Sequence, residues 1–475
     1  MSQEVSFPRQ RRHLHFDALV HLARQRFGTV PDSRREPDFS LPDTLMAGLA
    51  LFSLKDPSLL AFQRRTLDHN LRSVFGLKGI PSDSQMRVIL DDVDPDHVRP
   101  LFNDILHELH KAKVLQQFRF EGCYLVALDG VEYFCSKKVH CPHCMTRHHT
   151  NGNVSYYHQL LGAAIVHPDF SEVIPLAPEP IQRQDGQTKN DCERNAARRW
   201  LKRFRQDHPR LPVIIIEDAL SSNAPHIRDL TEAKCHFLLG VKEADHVHLF
   251  EQIRQRQETD QYGAIVDEEA GTGIIRCYLF AEGLSLNESN AEVEVNVLQL
   301  LEIHADRTEH RWSWVTDLVL SESNVRQLAR GGRARWRIEN ETFNTLKNQG
   351  YHFEHNFGHG EKNLSVVMAM LMLAAFLIDQ VQQKCNPLFQ AAWQKKGPKC
   401  ALWEAVRQLF ASFEVSSMRE VYEGIAFGFE RPSLKVLIER SQGRCARQKS
   451  LLLQLVLYHH FATLTTGQSL AGMLS

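Results

Sequence analysis

Three acidic residues of this chain stand where carboxylate chemistry can be built. Asp129 follows the apolar run YLVAL, Asp218 follows VIIIE, and Glu339 lies in RARWRIENETF. A carboxylate at the carboxyl end of a buried strand lies where α/β proteins place their sites. The chemistry that needs several carboxylates together is divalent-metal phosphoryl transfer. Mg²⁺ takes oxygen ligands and keeps positions open for water and phosphate. Two such ions, about 3.5–4 Å apart, clamp the attacking and leaving oxygens of an in-line displacement. The three acids are far apart in sequence, so only a fold can bring them together.

Each acid also has an ordinary structural use. An Asp at a strand end is often a turn former. Glu339 stands four residues after Arg335, the spacing of a helical ion pair. Neighbouring acids compete for the role as well. Glu217 adjoins Asp218, and successive strand side chains face opposite sides. Glu341 is two positions from Glu339, about 200° around a helix. Only one of each pair can face a shared site, and the residues alone leave the choice open.

A second constellation is CSKKVHCPHCMTRHH. The C-x2-C spacing of Cys141 and Cys144 suits structural zinc, which takes four Cys or His ligands. With Cys135 and His148 (or His149) it makes a candidate Zn²⁺ set. A surface loop with reduced thiols is the competing reading, because a second C-x2-C pair is missing.

Basic residues form two groups. Arg194, Arg198, Lys202 and Arg205 make one stripe on the helix predicted from Asn190 to His208, where Asn190 and Glu193 have a capping-box spacing. Such a stripe can follow phosphates, or be a solvated face. Arg326, Arg330, Arg333, Arg335 and Arg337 cluster before Glu339, and Arg335 is the first candidate for bidentate phosphate contact. Trp312 and Trp314 share a strand face and can stack on bases, although core packing is the commoner use and is expected for Trp336 too. His158 and His226 are further candidates to line the acid site.

These residues must be positioned by the elements around them. Residues 1–118 read as helical, with Leu41 to Leu54 apolar and Asp96 to Leu115 apolar at spacings of three and four. From residue 119 the pattern becomes β-β-β-α-β-α-β, which indicates a mixed α/β sheet. Residues 258–318 read as a β-rich insertion. Helix returns at 319–385, with a break expected at Gly331–Gly332, and residues 386–475 read as further helices. The longest apolar run, Val366 to Ile378, is too short for a membrane span and reads as a core helix.

Three stretches resemble the DDE transposases of bacterial insertion sequences: YLVALDGVEYF, VIIIEDALSSNAPHI and RWRIENETFNTLKNQGYHFEHNFGHGEKNLS. The third is the most specific, since Arg, Trp, Ile and Glu follow the order of the family's R-W-x-I-E segment. The resemblance covers roughly residues 119–380. It departs from the family where Gly332 and Leu346 replace a Tyr and a Lys; Lys347 stands one residue on. The resemblance implies an RNase H-like mixed sheet with a β-rich insertion, flanked by helical N-terminal and C-terminal regions. It implies a helical DNA-binding domain over 1–118 and a catalytic core over 119–257 and 319–385. It selects Asp129, Asp218 and Glu339 as catalytic, metal-binding residues for two Mg²⁺ or Mn²⁺ ions. Arg335, Arg337, Lys347, Arg194, Arg198 and Lys202 are the expected DNA contacts. Arg9, Arg11, Arg12, Arg64, Arg65 and Arg72 are N-terminal candidates for phosphate.

Composition agrees with a folded protein. Lys plus Arg is 56 against 57 for Asp plus Glu, which excludes a uniformly basic coat but not a local basic groove. The N-terminus carries no secretory pattern, so the thiols are expected to be reduced and the protein cytoplasmic, associated with the nucleoid. The expected partners are double-stranded DNA, as element terminal inverted repeats and target, and a second copy of the chain, with no membrane. A metal-dependent nuclease and an inactive, transposase-derived DNA-binding protein are the alternatives.

Overall fold

The structure is a computed structural model that describes residues 9–65, 69–181, 192–428 and 435–436, with the backbone alone at 9–10 and 435–436. The first part is helical as its periodicity predicts: α1 (Phe16–Phe27), α2 (Leu41–Ser53), α3 (Asp83–Asp91) and α4 (Pro100–Lys111). Local chemistry sets the starts. The Ser40 side chain accepts from the Asp43 amide at α2, and Ser82 and Gln85 form a capping box at α3.

The sheet begins with three antiparallel strands, β1 (Cys123–Ser136), β2 (Val154–Val166) and β3 (Ile174–Ile181). Helix α5 (Glu193–Asp207) leads to β4 (Val213–Glu217), and α6 (Ala224–Glu232) leads to β5 (His236–Gly240). β4 lies parallel to β1 on one side and to β5 on the other. The order across this part is β3-β2-β1-β4-β5, the expected RNase H-like mixed sheet. β4 is buried along its whole length, and β5 at its three central residues, Phe237, Leu238 and Leu239. That is why the two read as continuous apolar runs rather than alternating ones.

The later β-rich residues extend this same sheet. β6 (Gly263–Glu269), β7 (Ile274–Ser285), β8 (Glu294–Ile303) and β9 (Glu309–Thr316) form an antiparallel series, and β9 pairs with β5. Helix α7 (Val325–Arg333) follows and runs unbroken through Gly331–Gly332. The break comes at Ala334–Arg335 instead. Both glycines are buried contact points: a Cβ on Gly331 would strike Phe120, and one on Gly332 would strike Trp314.

Helix α8 (Leu364–Cys385) is the longest helix among the described residues and the hub of the helical layer. It is long and apolar enough to cross a membrane, yet its apolar window is wholly buried inside the fold. It packs on α2, α3 and β3. Leu371 of α8 rests on Gly48 of α2, where a Cβ would collide with it. Each fully buried Leu, Met or Phe on such a helix contributes about 1.5–3 kcal/mol. Helices Pro387–Lys396, Lys399–Ser412 and Met418–Phe427 complete the described C-terminal part. Helices are expected beyond residue 428 as well; of those residues only 435–436 are described, and they are extended rather than helical.

Candidate active site

Asp129 and Asp218 come from neighbouring parallel strands. Ala127 of β1 is in register with Ile216 of β4. Asp129 and Asp218 each stand two residues further on, so they are level at the carboxyl edge of the sheet. Asp218 is half-buried and caps the turn after β4 by accepting from the Leu220 amide at 3.0 Å. Its turn-forming use and its edge position therefore coexist.

Glu339 is brought to that edge by an irregular helix. Residues Ile338–Phe343 form a π-helical stretch, a geometry that often marks functional sites because it re-aims side chains. The stretch packs against β1 and β2. Its approach depends on Gly162, which pairs with Asp129 across the two strands. The Phe343 ring occupies the space that a Cβ on Gly162 would need.

The electrostatics connect the acids. Burial raises the Asp129 carboxyl to about 6; the Arg335 guanidinium opposes this, and Glu193, Asp218 and Glu339 add to it by repulsion. Arg335 donates to Asp129 Oδ2 at 3.1 Å, so the arginine serves Asp129 rather than its helical neighbour Glu339. Oxygen-only donors that repel one another suit a hard divalent cation. Among the described residues, only a Cys/His group has ligand atoms all within 4.8 Å of one another, so the carboxylates sit wider.

Glu193 is an acid that sequence reasoning missed. Asn190, the expected cap, lies outside the described residues, and Glu193 is the first residue of α5 rather than its third. The Glu193 carboxylate instead accepts from Gln159 Nε2 at 2.7 Å. It lies against Gly130, where a Cβ would collide with it. Burial first, and then Asp218, raise its pKa. The available signal was Gly130 directly after Asp129, a place where another group comes close to the backbone.

The competing acids point elsewhere. Glu217 is buried and accepts from His226 Nε2 at 2.5 Å and Ser221 Oγ at 3.2 Å. Glu341 pairs with Arg337 at 3.2 Å. His226 is thereby committed to Glu217, and His158 lies in the Cys/His group, so neither is engaged with the three acids.

The basic candidates separate by environment. Arg194, Arg198 and Lys202 are exposed on α5, with Arg198 held by Asp229 at 2.9 Å. Arg205 of the same stripe is a structural clamp, donating to the carbonyls of Ala233, Leu211 and Lys234. Arg326 pairs with Asp267, Arg330 with Asp169, Arg333 with Glu302 and Lys347 with Glu354. Arg337 also donates to the Pro168 carbonyl. Trp314 is buried as expected, and Trp312 lies under the Arg333 guanidinium at 4.5 Å. Trp336 differs from expectation. It is 51 % exposed beside Arg335, because the turn at Ala334–Arg335 rotates it off the core face.

The expected zinc set is redrawn. Cys135 and His148 are exposed, whereas Cys141 and Cys144 are buried and meet His158 and His359. Sequence spacing could not find His359, which arrives from beyond the π stretch.

Residues 143–377, about half of the chain, match the family described as the transposase DDE domain. The chain carries a transposase DDE domain and is a transposase. The matched span contains Asp218 and Glu339 and begins after Asp129. Among solved structures, a piggyBac transposase synaptic complex with hairpin DNA is similar at 13 % identity and a TM-score of 0.37, covering 92 % of this chain and 87 % of that one. No curated protein matches.

Proposed function

We propose that this transposase acts on the ends of an insertion sequence, with Asp129, Asp218 and Glu339 as its catalytic carboxylates. One observation carries the reading. Two aspartates are level on adjacent parallel strands, and a π stretch delivers a glutamate whose charge Asp129 feels. The donor set fits Mg²⁺ or Mn²⁺. Two such ions, when bound, supply an activated water or DNA 3′-hydroxyl and stabilise the leaving oxygen.

The chain's own residues hold the DNA. Arg335 tethers Asp129 and stands ready for a phosphate oxygen beside it. Trp336 offers an exposed ring next to that position for an unpaired base. Arg194, Arg198 and Lys202 follow the backbone along α5. Arg337 and Lys347, now paired with Glu341 and Glu354, exchange those carboxylates for phosphates when DNA is present. The N-terminal helices read the terminal repeats. Two copies assemble because two ends must be joined, and the work is done in the cytoplasm on the nucleoid.

A strand-joining assay tests this reading. Purified protein with Mg²⁺ and pre-cut element ends bearing 3′-hydroxyls is expected to join them to a target plasmid. Cutting without joining would identify a nuclease instead. Binding without either reaction would identify a DNA-binding descendant.

A further inference from the structure

Four potential ligands from three separate stretches converge in one cluster. Cys141 and Cys144 come from the loop after β1, His158 from β2, and His359 from the segment between the π stretch and α8. The Cys141 Sγ–Cys144 Sγ distance is 3.7 Å, far beyond a disulfide bond of about 2.05 Å. Cys141 Sγ and Cys144 Sγ lie 3.2 and 3.3 Å from His158 Nε2. His359 Nδ1 lies 3.7 Å from Cys144 Sγ and 3.2 Å from His158 Nε2.

These separations are those of a single tetrahedral ion. Zn–S bonds of about 2.3 Å and Zn–N bonds of about 2.05 Å place S···S at about 3.8 Å, S···N at about 3.6 Å and N···N at about 3.3 Å. The surroundings are built for it. Cys141, Cys144 and His158 are buried. The Cys141 amide donates to Cys144 Sγ at 3.4 Å, a contact that stabilises a thiolate. Tyr133 stacks on His158, and Phe134 packs edge-on against His359. His359 is presented by glycines on both sides, Gly358 at φ +134° and Gly360 at φ +62°, conformations that favour glycine.

We propose that Cys141, Cys144, His158 and His359 bind one structural Zn²⁺ that fastens the segment after Glu339 to strands β1 and β2. Four protein ligands leave no open position, which marks a structural rather than a catalytic site. The ion closes a long loop: it ties residue 359 to residues 141–158. It thereby fixes the C-terminal end of the stretch that delivers Glu339, whose N-terminal end follows α7.

Elemental analysis of the purified full chain tests the site independently of any DNA reaction. About one zinc per chain is expected, falling to background in Cys141→Ser and His359→Ala and unchanged in a Cys135→Ser/His148→Ala double variant. It is also unchanged in Glu339→Gln, so failure here is distinct from failure of the carboxylate assignment. Since the ligand variants can misfold, Co²⁺ is added to wild-type chain stripped of metal. Tetrahedral thiolate absorption bands are expected. Absence of both zinc and those bands would overturn the proposal, as would zinc kept by His359→Ala and lost by the double variant.

Discussion

The Arg335 guanidinium donates to Asp129 Oδ2 at 3.1 Å, joining the helical turn before Glu339 to the strand that carries Asp129. One arginine thus positions two elements of the site and moderates the charge of Asp129. Replacement by Lys keeps the charge but loses the fork geometry. Arg335→Lys is expected to lower end cleavage by about 10- to 100-fold, the usual range for residues that orient metal ligands. A single-turnover cleavage rate measures it, and a rate equal to wild type would show that the contact is incidental.

Glu193 and Gly130 form a coupled pair beside the sheet edge that carries Asp129. Gly130→Ala must push the Glu193 carboxylate away from Asp129 and Gln159. Both Gly130→Ala and Glu193→Gln are expected to lower the rate by about 10- to 100-fold while the thermal midpoint of Glu193→Gln stays near wild type. The double variant should be no worse than Gly130→Ala alone, because the two changes remove one arrangement. Additive losses would separate them.

Phe343 is the wedge that seats the π stretch on Gly162. Phe343→Ala should destabilise the chain by about 3–5 kcal/mol through the cavity it leaves, read as a shift in denaturant midpoint. Phe343→Leu should cost less stability yet still slow cleavage, because the ring sets the height of Glu339 above the sheet. Wild-type cleavage in Phe343→Leu would mean that the π stretch is held by other contacts.

How much of this was legible in the sequence follows from the range of each interaction. The strand meander, the parallel pair and the buried helix were readable because apolar periodicity is local. Asp129 and Asp218 were readable as strand-end acids for the same reason. The choice of Asp218 over Glu217 was not, and rests on family resemblance; in the structure Glu217 is engaged by His226. Glycines misled where they serve packing. Gly331–Gly332 reads as a break but is a close approach to Phe120 and Trp314. Glu193 and His359 were invisible because their partners, Gln159 and the two thiols, are set by the tertiary fold.

Asp91 ties α3 to the entry of α8. Its carboxylate accepts from the amides of Glu361, Lys362, Asn363 and Leu364 at 2.8–3.0 Å. Burial raises its pKa, but these four bonds outweigh burial, and the net shift is downward from 3.8. The stabilisation is therefore fully present above the unfolded value and is lost as pH falls through the lower folded value. Asp91→Asn is expected to cost about 1–2 kcal/mol at pH 7, as a lost helix cap does. The gap to wild type should narrow below pH 3.8. A gap that stays constant down to pH 2.5 would contradict this role.

Lys55 and Asp379 form a buried ion pair that links the segment after α2 to α8, with Tyr351 donating to Asp379 Oδ2 at 2.6 Å. The Lys55 ammonium also lies over the Trp403 ring at 3.9 Å. Lys55→Ala leaves a buried carboxylate without its counter-ion and should cost about 3–5 kcal/mol, whereas Lys55→Met with Asp379→Leu should cost far less. Equilibrium urea unfolding of the three chains compares them. Equal losses in the single and double variants would indicate a role in packing alone.

The most direct test of the central claim is metal-dependent cleavage of a plasmid that carries the gene's own flanking ends. Wild-type protein and the Asp129→Asn, Asp218→Asn and Glu339→Gln variants are compared with Mg²⁺ and with EDTA, and DNA binding is measured alongside. Cutting is expected for wild type in Mg²⁺ only, with each variant binding the ends as wild type does and cutting none. Undiminished cutting by any of the three variants would contradict the assignment of that carboxylate, and cutting in EDTA would contradict the metal chemistry itself.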